Sequence, residues 1–218
     1  MKITFCNGHV FEDPETRIRK YCDIEIYKGY DDQHNITNKI EWSDINAADN
    51  LYANIMRFRA SAAEQLICSD KIPSLLSKIE NIDLCELEGQ EWRQIRRKIY
   101  SLIRECMGIH GVGIAIATKI LHLKRPKLFP ILDSYVMRFL LDVDIANLSK
   151  YKILDLSRTG FEKVRIDLIN NKEKFNLLEK RLSDLTNKLE KVRMYDILCW
   201  TIEKWDIRKE ITAPYGEV

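Results

Sequence analysis

The sequence predicts a mainly α-helical protein, on three observations. Glycine and proline are sparse, at 8 and 5 of 218 residues, so few positions interrupt a helix. Apolar residues recur in steps of three and four over most of the chain, the period of a helix face, while alternating strand-like runs are scarce. A composition 45% hydrophobic and 31% charged suits helices that each bury one stripe and solvate the rest.

Element by element, the chain divides into residues 1–91, 92–141 and 142–218, all packing on one core. Residues 1–40 are irregular, with KITF and CDIEIY as short strands or extended arms. Ser43 or Asp44 is placed to cap a helix through about Phe58, with Ile45, Leu51, Ile55 and Phe58 inward. A second helix covers Ala60–Ser69, and Pro73 fits the first turn of a third, ending near Ile79. Residues 92–107 carry a stripe of Ile95, Ile99, Leu102, Ile103 and Met107, with Arg93, Arg96, Arg97 and Arg104 on the opposite surface. Helices follow over 114–123 and 133–141. Thr159 and Glu162 form a capping-box pattern that introduces a helix through Asn170.

The last third predicts a long C-terminal helix, roughly 172–206. Phe175, Leu178, Leu182, Leu185, Leu189 and Val192 make its stripe, which Tyr195, Leu198, Ile202 and Trp205 resume after a shift. Such a stripe is core or the seam of a homodimer. Asp196 is either a buried, hydrogen-bonded acid or a residue beside the shifted seam, and the register favours the second.

Net charge is only +2, yet its distribution is uneven. Between Trp92 and Lys127 stand nine basic residues and one acid, Glu105, so the remainder of the chain is acidic. Concentrated cations attract a polyanion and displace its counterions, although many such clusters are only solvated helix faces. The six cysteines form no CxxC pair, and free, mostly buried thiols predict a reducing, cytoplasmic setting. Four histidines without HxH or HxxxH spacing predict no metal site. No run reaches the length of a membrane span, and the opening MKITFCNGHVFEDPE interrupts its apolar stretch too soon for a secretory signal.

The chemistry concentrates in GIHGVGIAIATKILHLKRPKLFPILDSYVMR, residues 108–138. Gly108, Gly111 and Gly113 allow a sharp turn between two helices. Bare backbone there admits close approach of a ligand, and the amides opening the next helix favour a phosphate. Lys119, Lys124 and Arg125 lie downstream as further phosphate contacts. The alternative is an ordinary tight turn. Asp133 follows the proline-stiffened LFPIL connector, positioned both for chemistry and for capping the helix SYVMRFLL.

This stretch resembles the helix-hairpin-helix motif of the base-excision DNA glycosylase superfamily. Ile109, Gly111, Val112, Gly113, Ala117 and Leu121 fit the motif, with His110 replacing its usual proline. The family's catalytic aspartate lies in a D-x-x-V-x-R segment downstream, matched here by Asp133, Val136 and Arg138. The chain also resembles, more loosely, an uncharacterised bacterial helix-hairpin-helix group with a KRPxLxPxxDxxV pattern, here KRPKLFPILDSYV. The resemblance implies a helical glycosylase-like fold and binding of double-stranded DNA through backbone at Gly111, Val112, Gly113 and Ala115. It further implies Asp133 as the acid of a monofunctional enzyme. Bifunctional relatives carry a lysine nucleophile where Ala115 stands, so no Schiff base, and no lyase step, is expected through that position. The cysteine spacing matches no iron–sulfur loop, so no cofactor is expected. Arg138 is open to a backbone phosphate or to a helix-terminal acid. A non-catalytic DNA-binding or protein-interaction module remains the alternative.

Overall fold

The computed structural model describes residues 1–24, 29–33, 35–185 and 189–207. The irregular arm expected over 1–40 is more ordered than that. Strand β1 (Ile3–Thr4) pairs antiparallel with β2 (Val10–Phe11), placing Ile3 opposite Phe11. Helix α1 (Pro14–Cys22) follows, missed in the sequence although its start is legible: Asp13 accepts from the Thr16 amide at 3.3 Å and Pro14 fits the first turn. Ile18 and Tyr21 face inward from α1. The CDIEIY strand expectation lies partly outside the described residues, and Cys22 ends α1.

Helix α2 (Trp42–Asn50) stops short of the expected Phe58. Tyr52 and Asn54 adopt left-handed φ angles of 58° and 52°, which end the helix. The Asp49 carboxylate then accepts from the amides of Ile55 (2.7 Å) and Met56 (3.1 Å), starting the short α3 (Ile55–Phe58). Helices α4 (Ala60–Ile67) and α5 (Lys71–Leu76) come next, with Pro73 in the first turn of α5 as expected.

Helix α6 (Gly89–Gly108) buries Ile95, Ile99, Leu102, Ile103 and Met107, the expected stripe. It turns through residues 109–113 into α7 (Ile114–Lys124), which is buried on nearly every side. Helix α8 (Ser134–Leu141) begins just after Asp133, as the sequence suggests. Helix α9 (Lys150–Asn170) corrects an expectation: it starts at Ser149, whose hydroxyl accepts from the Lys152 amide at 3.3 Å, so Thr159 and Glu162 lie mid-helix. Gly160 is tolerated inside α9 because a Cβ there would come within 3.2 Å of the Met137 sulfur.

The stretch expected as one helix over 172–206 is divided into α10 (Lys172–Arg181) and α11 (Lys191–Thr201). The latter continues as a π-helical turn over Ile202–Ile207, so the chain keeps a long C-terminal helical unit. Phe175, Leu178, Leu182, Leu189, Val192, Tyr195, Leu198 and Ile202 are all buried, so the stripe is core. That removes the reason for expecting a homodimer seam on this helix. Asp196 also departs from the favoured reading: it is 1% exposed and hydrogen-bonded inside the protein. One apolar cluster runs from Ile3 to Ile202, and all three segments contribute to it. Among the described residues, no helix is long and apolar enough to cross a membrane.

Candidate functional site

The turn between α6 and α7 is held from outside by Lys150, whose ammonium donates to the carbonyls of Met107 (2.8 Å) and Ile109 (3.1 Å). Of its three glycines, only Gly111 uses a left-handed angle, φ +86°. A Cβ there would also meet the Arg59 side chain at 3.1 Å. Gly113 is extended, a conformation open to any residue, and Gly108 closes α6, which corrects the expectation that all three serve the bend. Space above Gly113 is open, since an added Cβ would touch nothing within 4 Å. The Val112 amide is spent on the Ile109 carbonyl at 3.2 Å. Among the described residues, the amides of Gly113, Ile114 and Ala115 have no acceptor. These are the unsatisfied donors that every helix start leaves, aimed here at open space.

Asp133 is the N-cap of α8. Its Oδ1 accepts from the amides of Tyr135 and Val136, each at 3.0 Å, while Oδ2 has no partner among the described residues. The carboxylate borders a cavity of about 700 Å³ whose wall also includes Gly113 and Ala115. The N-terminal amides of α7 and the acid therefore open onto one space. Its remaining surface mixes the aromatic Tyr52, Tyr135 and Trp200 with the aliphatic Leu51, Ile114, Ile145 and Ile153 and with Lys204. The Tyr135 and Trp200 rings meet edge to face at 6.2 Å, and the Lys204 ammonium lies 5.7 Å from the Tyr135 centroid. Tyr52 stands at the rim, 61% exposed, on the strained connection between α2 and α3.

Beneath lies a chamber of about 40 Å³ that shares Tyr52, Lys119, Asp133 and Trp200 with the larger cavity and reaches Arg193 and Asp196. A space of that size, with Lys119, Asp133, Arg193 and Asp196 among its lining residues, has room for water. Lys119 is 6% exposed and donates to the Leu51 carbonyl at 2.5 Å. Burial holds its ammonium below the usual lysine range, and the nearby Asp133 carboxylate works against that shift. Farther in, the Arg193 guanidinium sits between Asp31 and Asp196, 2.6 Å from each. Asp196 Oδ2 also accepts from the Ile131 amide at 3.1 Å, which anchors the connector leading to Asp133. Burial pushes the Asp196 carboxyl up to about 7, against the pull of Arg193.

The expected phosphate contacts require correction. Lys124 is fully buried and ion-paired with Asp44 at 2.5 Å, because α7 runs through the core rather than along its surface. Arg125 is 5% exposed and directs its guanidinium at the carbonyls of Ile79, Thr37, Lys124 and Leu76 and at the Asn38 side chain. Neither can reach a ligand in the folded protein. Lys119 is equally enclosed, but it lines the Asp133 cavity. Arg138 takes the acid alternative, pairing with Asp144 at 3.3 Å and Glu203 at 3.9 Å.

Tyr52, Trp200 and Lys204 escaped the sequence reading. Tyr52 depends on a left-handed backbone that no local pattern marks, and Trp200 reads as one more helical aromatic. Among the described residues, Asp83, Cys85 and Glu86 form the sole group with metal-ligand spacing, within 4.8 Å of one another. Lys191 holds Asp83 at 2.8 Å and Lys172 holds Glu86 at 2.7 Å, which disfavours a cation there. All six cysteines are free, and Cys85, Cys106 and Cys199 are buried.

Neither the curated proteins nor the solved structures contain a match to this chain. A family model does match, over residues 8–203, and so takes in the α6–α7 turn, Asp133 and all of the cavity wall but Lys204: the chain belongs to the family of unknown function DUF6308.

Proposed function

We propose that this is a DNA-binding protein that draws one modified base into the Asp133 cavity and hydrolyses its N-glycosidic bond. In this reading it is a monofunctional glycosylase of base-excision repair. The observation that carries the proposal is the shared cavity: unsatisfied helix-start amides, an aspartate oxygen without a partner and three aromatic residues around about 700 Å³. The amides of Gly113, Ile114 and Ala115 would take a backbone phosphate, favoured by the helix dipole. An everted base would lie against Tyr52, Tyr135 and Trp200. As the bond to the base breaks, positive charge grows at the anomeric carbon, and the Asp133 carboxylate stabilises it. Water held in the chamber beneath then adds to that carbon. Its proton passes to Asp133, the base leaves with the bonding electrons, and an abasic sugar remains. Lys119 would hold the aspartate side of this chamber polar.

A specific observation favours a second reading, a DNA-binding module without catalysis: Oδ1 of Asp133 is already committed to capping α8. One experiment separates the two. Wild type and Asp133→Asn are incubated with duplexes carrying a panel of altered bases, followed by alkali to reveal abasic sites. Asparagine caps a helix about as well as aspartate, so the fold is retained. A glycosylase loses about 10²-fold or more of its rate while still binding. Binding without abasic product from either protein supports the module. Gly113→Val tests the anion site in both readings, since an extended residue accepts valine but its side chain covers the amides; affinity should fall at least tenfold.

A further inference from the structure

A second cation-lined surface lies away from Asp133. A groove of about 630 Å³ runs between α6 and α9, with Arg96, Arg97 and Arg104 on one wall and Arg158 on the other. Tyr100 forms its floor, with its hydroxyl donated to the Arg158 carbonyl at 3.2 Å and the Arg158 guanidinium over its ring at 5.3 Å. Its one acid, Glu162, is already matched by Arg165 at 2.9 Å and by the Trp92 indole at 2.7 Å. Among the described residues, Arg96, Arg97 and Arg104 have no carboxylate within ion-pair distance. Arg158 pairs only with exposed Asp155, and its buried Nε–H has no acceptor among the described residues. Several unmatched guanidinium groups and an orphan donor in one concavity call for an oxyanion.

We infer that this groove binds the phosphodiester backbone of duplex DNA on the flank of the segment engaged by the α6–α7 turn. The inference rests on the DNA-binding reading above. Arg96 and Arg104 are eight residues apart on α6, about 12 Å at 1.5 Å per residue. One strand rises about 3.4 Å per phosphate, so the row of arginines spans three to four phosphates. Helix α6 leads directly into the turn at residues 109–113, which makes groove and turn two stations on one strand. Arg158 turns from Asp155 toward the backbone, giving its orphan Nε–H an acceptor.

The test is the salt dependence of duplex affinity. Each phosphate contact contributes about 0.9 to the slope of log affinity against log salt. The quadruple Arg96→Ala, Arg97→Ala, Arg104→Ala, Arg158→Ala variant should flatten that slope by about 3 and weaken binding at least tenfold at low salt. Carrying Arg158→Lys in place of Arg158→Ala, alongside the three α6 substitutions, should restore about one unit of slope relative to the quadruple variant. The Arg158 Nε–H resonance of wild type should move on adding duplex and stay put with inorganic phosphate alone. An unchanged slope in a variant that still responds to Gly113→Val overturns the groove and leaves the turn reading standing. A resonance that moves with inorganic phosphate, with the slope unchanged, makes the groove a small-anion site and overturns the inference. Wild type without any salt-dependent affinity overturns both.

Discussion

Eight of the nine basic residues between Trp92 and Lys127 form two groups that read alike and fold oppositely. Arg93, Arg96, Arg97, Lys98 and Arg104 are exposed on α6. Lys119, Lys124 and Arg125, on or just after α7, are 6%, 0% and 5% exposed. The difference is set by the helices, not by the charges. Helix α6 alternates its cations with a clean apolar stripe and so keeps one solvated face. Helix α7 has apolar or small residues all round and runs through the core, so its cations go in with it. Once inside, each must find a partner or destabilise the fold. A run of cations is therefore evidence for a nucleic-acid surface only where the helix beneath it is amphipathic.

The largest expected effect breaks the inner group. Lys124→Ala leaves Asp44 buried without its cation and should cost about 3–5 kcal/mol in denaturant unfolding. Burial already pushes the Asp44 carboxyl upward with Lys124 in contact, so its loss is not masked by solvent. Combining Lys124→Met with Asp44→Asn should recover more than half of that loss. A single-variant cost below about 1 kcal/mol would mean the pair behaves like a surface ion pair. Arg125→Lys comes next. It keeps the charge but loses the planar fork that reaches Leu76, Ile79 and Thr37 together, for about 2 kcal/mol.

A smaller, pH-dependent effect sharpens the same contrast at Arg193, where one buried guanidinium serves two carboxylates. With Asp196 raised to about 7 in the folded protein, the folded state holds a proton there that the unfolded chain releases near pH 4. The unfolded state binds fewer protons in between, so stability is greatest at the acid end and falls as pH rises toward 7. The slope attributable to this group approaches 1.4 kcal/mol per pH unit. Subtracting the Asp196→Asn curve from wild type between pH 5 and 7 isolates it; coincident slopes would show an ordinary carboxylate.

How much of this was legible depends on how local each cause is. The helical class, the α6 stripe, the turn into α7 and the start of α8 at Asp133 follow from periodicity and caps a few residues apart. The break of α2 was not legible, because it needs Asp49 to recruit the amides of Ile55 and Met56 after two left-handed residues. Thr159 and Glu162 mimic a helix start that packing overrides, since α9 continues unbroken from Ser149. The glycine turn after α6 and Asp133 were readable as residues, but their common cavity was not. It requires Tyr52 from α2's end and Trp200 from α11, about 150 residues apart in the chain, to meet beside them.

The smallest stability effect belongs to the outer group, and it carries the most functional information. Arg97→Ala and Arg104→Ala remove exposed side chains with no ion-pair partner among the described residues, so each should change unfolding free energy by less than about 0.5 kcal/mol. If the α6 face meets a polyanion, the same substitutions should still lower duplex affinity several-fold at low salt, the converse of Lys124→Ala, whose cost lies in folding. A charge that folding does not use and binding does is the signature of an interaction surface. Equal, small effects on both measurements would reduce the α6 arginines to a solvated helix face.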